Sequence, residues 1–584
     1  MHLTPGPTTG TSLLLIEGGL TVILLAVAFA LPRMGSPLFA RIERAFARLA
    51  RRKRLSVLLV GVSALVLRLA ILPFCPIPLP FVQDDFSFLL SANTFALGRL
   101  TNPTPAMWVH FESFAITLRP TYMSMYFPGQ GLILAAGKVL FGHPWFGLLI
   151  VNALLCAALC WMLQAWLPPT WALLGGLIAV LRIGLFSYWI NTYSGAASLA
   201  ALGGALVLGA FPRFKRSRRF RDALLAAVGA ILLAYSRPYE GMILCLVVLS
   251  GLGYWALFGK NRLKPGQLLL RMAAPLALVA ATLAWLGYYD YRVFGNPRTL
   301  PYTVQRITYA AAPYWIWQAP PPQPTYNHED LREFFVGVEL TYAKHIQTVP
   351  GFLSETLLFK PFRTLMFFAG IALLPPLFML SHVFKDRRIR FLVICVFVVV
   401  CGAALETFTI PHHFAAVSPA FYAIGLQMMR HLRQWKPGGQ PIGAALLRFT
   451  VFNCLALAAL RLGAEPLHLR LAYWPSGAWT SLWSGPGQAG LPRALIQQQL
   501  EQMHGKQLVI VRYPAGHNTI NDWVYNDPDI DNSKVIWARE MDAAQDADLI
   551  RYYNDRKVWL LHPDNEPATL TTYTPATQQK SPSH

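Results

Sequence analysis

Charged residues are scarce in this sequence, and acidic residues are scarcer than basic ones. Asp, Glu, Lys and Arg make up only 13% of the 584 residues, with 28 acidic against 50 basic side chains, whereas 54% of the residues are hydrophobic. The mean hydropathy is +0.40. Soluble globular domains carry about 25% charged residues, so the composition excludes an ordinary soluble enzyme and indicates a protein that crosses a membrane several times.

Cysteine is also sparse, and its placement predicts neither a disulfide framework nor a cysteine metal site. None of the seven cysteines lies in the polar C-terminal region. All lie within or beside apolar segments: Cys75, Cys156, Cys160, Cys245, Cys395, Cys401 and Cys454. We expect them to be small buried hydrophobic residues.

A net charge of +22 is compatible with a nucleic-acid partner, but the distribution of this charge indicates a membrane instead. Residues 463–584 carry 10 basic and 13 acidic side chains, a net charge of −3, which leaves +25 on residues 1–462. The excess therefore follows the hydrophobic part of the chain, where basic residues orient membrane helices. We expect membrane lipid, and no nucleic acid, among the partners.

Twelve segments are apolar enough to be transmembrane helices, which need roughly 20 residues and somewhat fewer where the bilayer adapts. They lie near residues 13–32, 56–74, 144–166, 171–190, 193–211, 222–236, 241–258, 267–289, 363–384, 391–406, 413–430 and 441–462. The sequence therefore predicts a polytopic α-helical membrane protein with about 12 transmembrane helices, which form one domain over residues 1–462.

The distribution of basic residues predicts how these helices are oriented. Alternate threading places five short loops on one side of the bilayer, and together they hold 24 Lys and Arg against 3 acidic residues; the loops are 33–55, 212–222, 259–266, 385–390 and 430–440. The positive-inside rule assigns that side to the cytoplasm. The periplasmic side then receives both termini and the large loops 75–143 and 290–362. The first segment is not expected to be a cleaved signal peptide, because its positive cluster follows the apolar stretch.

The C-terminal residues 463–584 differ in composition from the rest and predict a small α/β domain on the periplasmic side. Three short buried strands are expected at 506–513, 534–540 and 557–563. The stretches "LPRALIQQQLEQMHG" and "DAAQDADLIRYYNDR" have helical spacing. Alternation of helix and strand is typical of α/β domains. The last fifteen or so residues are expected to be disordered.

Two adjacent aspartates, Asp84 and Asp85, begin the first large loop in a chain that has few acids. Residues 84–98 are expected to form a short helix, and the apolar stretch 126–142 is expected to be an interfacial helix rather than a span. Either aspartate could simply cap the helix N-terminus. One cap needs one aspartate, however, and an adjacent pair is also the arrangement expected for a general base with an orienting acid.

Cationic side chains occur at the outward-facing ends of other predicted helices. Arg119, Arg237, His412 and His413 are the kinds of side chain that bind a lipid phosphate or pyrophosphate. Arg237 could instead extend to lipid headgroups or pair with Glu240. The two histidines have no Asp, Glu or Cys at a spacing that makes a metal site, so the sequence predicts no protein metal ligands.

The second large loop is dense in aromatic residues and proline. Tyr314 and Trp315 lie within "YTVQRITYAAAPYWIWQAPPPQPTY" and could stack on a sugar, although aromatic residues also form ordinary belts at membrane interfaces. Asp290, at the end of a predicted span, is a further acid with no assigned role. Tyr314, Trp315, Glu240 and Asp290 are candidate contacts to an acceptor or sugar.

The sequence resembles the GT-C superfamily of polyprenyl-phosphate-dependent membrane glycosyltransferases, especially protein O-mannosyltransferases and lipid A aminoarabinose transferases. The resemblance rests on the acidic pair in "QDDFSFLLSANTFALGRL", on the interfacial segment "YFPGQGLILAAGKVLFG", and on a multi-span core followed by a soluble domain. It covers residues 56–260 best. It implies inverting transfer of a sugar from a polyprenyl-phosphate donor to a lipid or glycan acceptor hydroxyl, at the periplasmic face of a bacterial inner membrane.

The resemblance also implies roles for individual residues. The catalytic base is Asp84 or Asp85, with a slight preference for Asp85. Tyr126 and Phe127 stand where the family commonly has Lys or His, so the phosphate-binding cation must come from Arg119 or Arg237. Tyr126 itself is expected to contact the donor phosphate. No cofactor is required by the residues, although a divalent metal is compatible with the family. Two rival functions remain open: a glycan polymerase or ligase that uses lipid-pyrophosphate donors, and a lipid or glycan transporter.

Overall fold

The structure is a computed structural model that describes residues 9–463 and 490–574, with side chains from residue 15 onwards. The membrane region and its loops contain α1 (Thr9–Ala30), α2 (Ser36–Arg51), α3 (Lys53–Ala70), α4 (Gln83–Ala96), α5 (Pro128–Phe141), α6 (Trp145–Trp166), α7 (Pro169–Asn191), α8 (Ala197–Ser217), α9 (Phe220–Ser236), α10 (Pro238–Phe258), α11 (Pro265–Phe294), α12 (Pro301–Tyr309), α13 (329–346), α14 (Val349–Phe368), α15 (Ile371–Lys385), α16 (Arg390–Ala404), α17 (Ser418–Gln434) and α18 (Ile442–Gly463). A short hairpin of β1 (Ile116–Thr117) and β2 (Met123–Ser124) lies in the first large loop.

Every one of the twelve segments predicted to span the membrane overlaps a helix. Within the described residues, six helices are long and apolar enough to cross a membrane, namely α6, α7, α8, α10, α11 and α18, and the pair α14 and α15 is a seventh if it counts as one span. The other predicted spans are helices that are shorter or less apolar, such as α9 with 17 residues. The structure therefore shows a polytopic helical fold, and the count of twelve stays a prediction.

The predicted single helix at 363–384 is broken. The axes of α14 and α15 differ by 87°, and the break lies at Gly370, whose φ is 57°. A residue without a side chain adopts this left-handed conformation at little cost. Pro375 and Pro376 follow it and have no backbone N–H to continue an α-helical ladder. Hydropathy alone does not detect such a bend, because every residue around it is apolar.

Close backbone packing fixes the turn that carries the two histidines. A Cβ atom added at Gly204 in α8 would lie 1.8 Å from the carbonyl oxygen of Ala416, so only glycine fits there. Ala416 belongs to the turn Pro411–Val417, which precedes α17. Small residues allow backbones to approach closely in membrane proteins. This contact holds His412 and His413 against the helix bundle.

The C-terminal residues form the expected α/β domain. Its elements are α19 (Leu491–Gln502), β3 (Lys506–Val511), β4 (Val535–Arg539), α20 (Ala543–Tyr552), β5 (Arg556–His562) and β6 (Thr569–Thr572). The strand order is β4-β3-β5-β6, with β3 parallel to both neighbours and β6 antiparallel to β5. The expectation of disorder was wrong for β6, which pairs along β5; residues 575–584 lie outside the described residues, as do 464–489.

The α/β domain packs directly on the first large loop. Phe86 of α4 stacks on Tyr525 with ring centroids 4.3 Å apart. Arg539 of β4 donates a hydrogen bond of 2.5 Å to the carbonyl oxygen of Glu112, and forms ion pairs with Asp522 and Asp330. Both large loops and the C-terminal domain are thus joined through one buried guanidinium, which places the domain over the start of α4.

Candidate active site

Asp85 caps its own helix and holds a neighbouring turn. Its side chain is buried, and both carboxylate oxygens accept hydrogen bonds from backbone N–H groups: Oδ1 from Tyr193 at 2.8 Å, and Oδ2 from Phe81 at 3.1 Å and Val82 at 3.4 Å. Burial raises the pKa of Asp85 to about 7, against the opposing effect of these hydrogen bonds. Asp85 is therefore the residue that caps the helix. Its geometry does not favour Asp85 over Asp84 as the general base, in contrast to the slight preference from the sequence.

Asp84 has a different environment, although it is the adjacent residue. It is half-buried and accepts a hydrogen bond from the Tyr126 hydroxyl. Burial raises the pKa of Asp84 above its ordinary value, while the Tyr126 hydrogen bond and the charge of Arg237 act in the opposite direction. Asp84 is a carboxylate with raised basicity that no backbone group caps, which are the properties of a general base.

Aromatic packing fixes the tyrosine that contacts Asp84. The Tyr126 ring stacks on Phe88 of α4 with centroids 4.4 Å apart, and it makes an edge contact with Tyr302 of α12 at 5.5 Å. Tyr126 was predicted to bind the donor phosphate. The structure instead gives its hydroxyl a bond to Asp84, so Tyr126 orients the candidate base.

Arg237 is the cation whose charge acts on Asp84. Its Nε and one terminal nitrogen each donate a hydrogen bond of 3.2 Å to the carbonyl oxygen of Gly195, and the other terminal nitrogen is 3.8 Å from Glu240 Oε1. The side chain is only 11% exposed, so it does not extend to lipid headgroups. The predicted pairing of Arg237 with Glu240 is present, and it leaves the charge of Arg237 close enough to act on Asp84 and Tyr302.

His413 joins two carboxylates that are far apart in the sequence. Its Nδ1 atom is 3.2 Å from Glu406 Oε2 and 3.6 Å from Glu240 Oε1. Burial and the nearby charge of Arg237 lower the pKa of His413 to about 3, and burial raises the pKa of Glu406 to about 7. The prediction that the histidines lack acidic partners was wrong, because the fold supplies both glutamates.

His412 points away from this group. Its ring is parallel to that of Tyr188 with centroids 6.1 Å apart, and a Cβ added at Gly195 would touch it at 3.6 Å. Burial lowers the pKa of His412 well below its usual range. Its Nδ1 atom has no hydrogen-bond partner among the described residues, and its role as a phosphate ligand stays a prediction.

Three other residues were predicted to belong to the site, and their surroundings differ from those of Asp84. Arg119 is exposed and covers the ring of Trp108 at 3.9 Å; no contact among the described residues joins it to Asp84 or Arg237. Asp290 is buried in α11 with one oxygen that has no hydrogen-bond partner. Trp315 contacts Tyr239 and Tyr314 at 5.0 and 4.9 Å, on the Glu406 side of the site.

Sequence reasoning missed three residues of the site. Glu406 is an acid just after an apolar helix, and Tyr314 donates a hydrogen bond of 3.4 Å to it. The Lys360 ammonium donates to the carbonyl oxygens of Glu406 and Thr407, at 3.1 and 3.2 Å. Tyr302 contacts Tyr126. A lysine inside an apolar stretch, "LFKPF", was the one signal available, since buried lysines need a partner.

An apolar cavity of about 360 Å³ adjoins this group of side chains. It lies between α14, α15, α16 and α17. Its lining includes Lys360 and Thr409, on either side of the Glu406 turn, and also Val383 and Phe384, which adjoin the basic loop 385–390. The cavity thus lies within the helix bundle, with Lys360 and Thr409 among the polar residues of its wall.

The fold and site define a class: a polytopic helical membrane protein with a half-buried carboxylate at the start of a loop helix, a buried arginine, and an apolar cavity within the helix bundle. Comparison of the sequence with protein-family models gave no match, and comparison with curated proteins gave none either. Comparison of the structure with solved structures was informative.

ArnT from Cupriavidus metallidurans bound to undecaprenyl phosphate is similar over 87% of this chain and 92% of that chain, with 14% identity and a TM-score of 0.50. The same protein in its apo state matches over 86% and 92%, with 13% identity and a TM-score of 0.48. An oligosaccharyltransferase from Archaeoglobus fulgidus is matched over 78% of this chain and 60% of that one, with 13% identity and a TM-score of 0.42. The similarity to ArnT shows that the chain shares the fold of that protein.

Proposed function

We propose that this protein is an inverting glycosyltransferase that moves a sugar from a polyprenyl-phosphate donor to an acceptor hydroxyl at the periplasmic face of a bacterial inner membrane. The observation that carries the proposal is the hydrogen bond from the Tyr126 hydroxyl to the half-buried carboxylate of Asp84, on which the charge of Arg237 also acts. A base, a phosphate-binding cation and a lipid site are the three elements that this reaction needs.

The cavity suits the lipid part of the donor. Its walls are almost wholly apolar, and the polar groups that line it include Lys360, Thr356, Thr364 and Thr409. A prenyl chain held there leaves its phosphate at the Lys360 end. Binding energy from a tail that does not react can be used to align the reacting head.

Arg237 suits the phosphate. Its guanidinium is anchored by two hydrogen bonds to one carbonyl oxygen, so its position is fixed before the donor binds. A planar guanidinium can bind two phosphate oxygens at once. The charge of Arg237 also acts on Asp84, which places the candidate base and the candidate phosphate ligand within one electrostatic site.

The proposed reaction is a single displacement. The acceptor oxygen bonds to the anomeric carbon as the bond from that carbon to the phosphate oxygen breaks, and the phosphate keeps the electron pair. Asp84 takes the proton of the acceptor hydroxyl, and Arg237 binds the departing phosphate. Attack opposite the leaving group inverts the anomeric configuration. Tyr126 holds Asp84 in place and keeps part of its charge solvated.

The C-terminal domain is suited to bind the acceptor. Tyr525 stacks on Phe86, two residues after Asp84, and its buried hydroxyl has no hydrogen-bond partner among the described residues. The charge of Asp84 acts on this hydroxyl. An acceptor that approaches Asp84 from the large loops therefore contacts the C-terminal domain. This domain determines whether the acceptor is a lipid or a glycan.

Two observations support a polyprenyl-phosphate donor and an active site on the periplasmic side. The fold is shared with ArnT, whose solved structure contains undecaprenyl phosphate. The five basic loops lie opposite the large loops and the α/β domain in the predicted threading, which places Asp84 in the periplasm and both termini on that side.

The test combines binding and transfer. Purified full-length protein in detergent is mixed with undecaprenyl phosphate and the bound lipid is measured by native mass spectrometry; the Arg237→Gln variant should bind it more weakly. Surface glycans and glycolipids are then compared by mass spectrometry in a deletion strain complemented with wild type or Asp84→Asn. A missing sugar restored only by wild type supports the proposal, whereas identical profiles in all strains would refute it.

A further inference from the structure

We propose that Glu240, Glu406 and His413 form a binding site for one divalent transition-metal ion such as Zn²⁺ or Mn²⁺. This site includes neither Asp84 nor Asp85. The proposal does not depend on the identity of the donor or acceptor. The three side chains come from the first turn of α10, from the segment after α16 and from the turn before α17. Their ligand atoms all lie within 4.8 Å of one another.

The distances match a metal site closely. Zinc binds imidazole nitrogen and carboxylate oxygen at about 2.0–2.2 Å, so two ligands at a tetrahedral angle are roughly 3.4 Å apart. The separations from His413 Nδ1 are 3.2 Å to Glu406 and 3.6 Å to Glu240. The ligand atoms of the two carboxylates lie within 4.8 Å of each other.

An ion-pair network explains the same three residues less well. The Nδ1 atom of a neutral imidazole can donate one hydrogen, yet two buried carboxylates face it. Arg237 approaches Glu240 only at 3.8 Å and donates its hydrogen bonds to Gly195 instead. A positive charge stabilises two buried carboxylates that lie near each other, and a divalent cation bound by both of them and by His413 Nδ1 would provide it.

The surrounding residues orient the ligands as in known metal sites, where outer groups fix the ligand geometry. Tyr314 donates to Glu406 Oε1 and leaves Oε2 directed at His413. The Lys360 ammonium holds the backbone carbonyl of Glu406. The absence of a side chain at Gly204 allows the turn that carries His413 to pack directly against α8 through Ala416. Three protein ligands leave at least one coordination position open to water or to a ligand oxygen.

The chemistry of the ligand set selects the type of metal. Magnesium and calcium prefer oxygen ligands alone, whereas one nitrogen with two carboxylate oxygens suits zinc or manganese. A cation bound here would lie beside Arg237 and add positive charge on the side where we place the donor phosphate. This last role rests on the proposed function; the binding itself does not.

Metal content tests the proposal without any transfer assay. Full-length protein in detergent is treated with EDTA, loaded with ZnCl₂ or MnCl₂, desalted and measured by inductively coupled plasma mass spectrometry. We expect about one ion per chain for wild type, and a loss of about tenfold or more in Glu240→Gln, Glu406→Gln and His413→Gln. The matched control is Glu339→Gln, since Glu339 pairs with Arg306 at 3.0 Å and contributes no ligand atom.

Spectroscopy provides a second test if a variant folds poorly. In Mn²⁺-loaded wild type, electron spin echo modulation should show one coupled ¹⁴N nucleus, and this coupling should disappear in His413→Gln, with the size-exclusion profile checked for each sample. Wild type without stoichiometric metal, or three variants that retain it, would overturn the proposal and leave an ion-pair network only. Transfer activity without bound metal would refute only the role of the ion beside the donor phosphate, and it would leave the glycosyltransferase proposal intact.

Discussion

The carboxylate of Asp85 accepts a hydrogen bond of 2.8 Å from the backbone N–H of Tyr193, more than a hundred residues away in the sequence. This bond fixes the start of α4 against the turn between α7 and α8. Asp84, the preceding residue, is therefore held at the edge of the site while it makes no backbone bond of its own among the described contacts. Two adjacent aspartates thus have separate tasks, one structural and one proposed to be chemical.

Substitution of the two aspartates should separate these tasks. Asp84→Asn should reduce the transfer rate by about 10²–10⁴-fold, because the general base is lost. Asp85→Asn should instead lower stability by about 1–3 kcal/mol, because an amide has one acceptor oxygen where the carboxylate uses two. Initial rates and thermal unfolding in detergent measure the two effects. An Asp84→Asn variant with normal turnover would exclude Asp84 as the base.

The pH dependence of transfer should reveal the hydrogen bond from Tyr126 to Asp84. A base acts only when deprotonated, so the rate should fall as the pH decreases through the raised pKa of Asp84. The Tyr126 bond favours the charged carboxylate and lowers this pKa. Tyr126→Phe removes the bond, raises the pKa and should move the acid limb of the profile to higher pH.

The control for this shift is Tyr122→Phe. The Tyr122 hydroxyl donates a hydrogen bond of 2.8 Å to the carbonyl oxygen of Asn526 and does not contact Asp84. Its loss should leave the acid limb unchanged. The measurement is a profile of kcat/KM against pH for wild type and both variants. If the acid limb of Tyr126→Phe stays in place or moves to lower pH, Asp84 is not the base that Tyr126 contacts.

Arg237 and Arg119 should differ in their effect on the donor. Arg237→Gln should weaken donor binding by about 1.5–3 kcal/mol, because charge-assisted hydrogen bonds to the phosphate are lost. Arg237→Lys should restore little of it, since an ammonium lacks the bidentate geometry. Arg119→Gln should leave donor binding within a factor of two or so of wild type, because Arg119 stacks on Trp108 at the surface. Lipid titrations monitored by native mass spectrometry provide the comparison.

Filling the apolar cavity should affect the lipid tail and not the head. Val396 lines the cavity, and Val396→Trp should raise the KM for a long-chain donor while a short-chain analogue is little affected. Phe397→Trp is the matched control, because the Phe397 side chain is 67% exposed on the outer face of the same helix. Equal effects of the two substitutions on both donors would show that the cavity does not hold the tail.

The Arg539 ion pairs should make a large contribution to stability. Arg539→Ala leaves Asp522 and Asp330 without their buried partner, and removal of one member of a buried pair typically costs about 3–5 kcal/mol. Arg512→Ala breaks an exposed pair with Glu540 and should cost at most about 1 kcal/mol. Thermal unfolding in detergent should therefore show a much larger decrease for Arg539→Ala. Similar decreases would mean that the C-terminal domain does not depend on this contact.

The sequence by itself determined the helical segments and the composition of the C-terminal domain. Hydropathy locates apolar helices because burial in lipid requires a continuous run of apolar residues, and the strands at 506–511, 535–539 and 556–562 carry a similar local pattern. The acidic pair was also visible, since adjacent acids are conspicuous in a chain with so few of them. Each of these features lies within a few neighbouring residues.

Only the tertiary structure decided how the functional groups combine. It assigned the cap to Asp85 and left the half-buried Asp84 to accept the Tyr126 hydroxyl, and it brought Glu240 to Glu406 and His413 across more than 150 residues of chain. It also broke the helix near Gly370 and opened a cavity there. These relationships depend on contacts between distant segments, whose free energies are set by packing and burial rather than by local residue preferences.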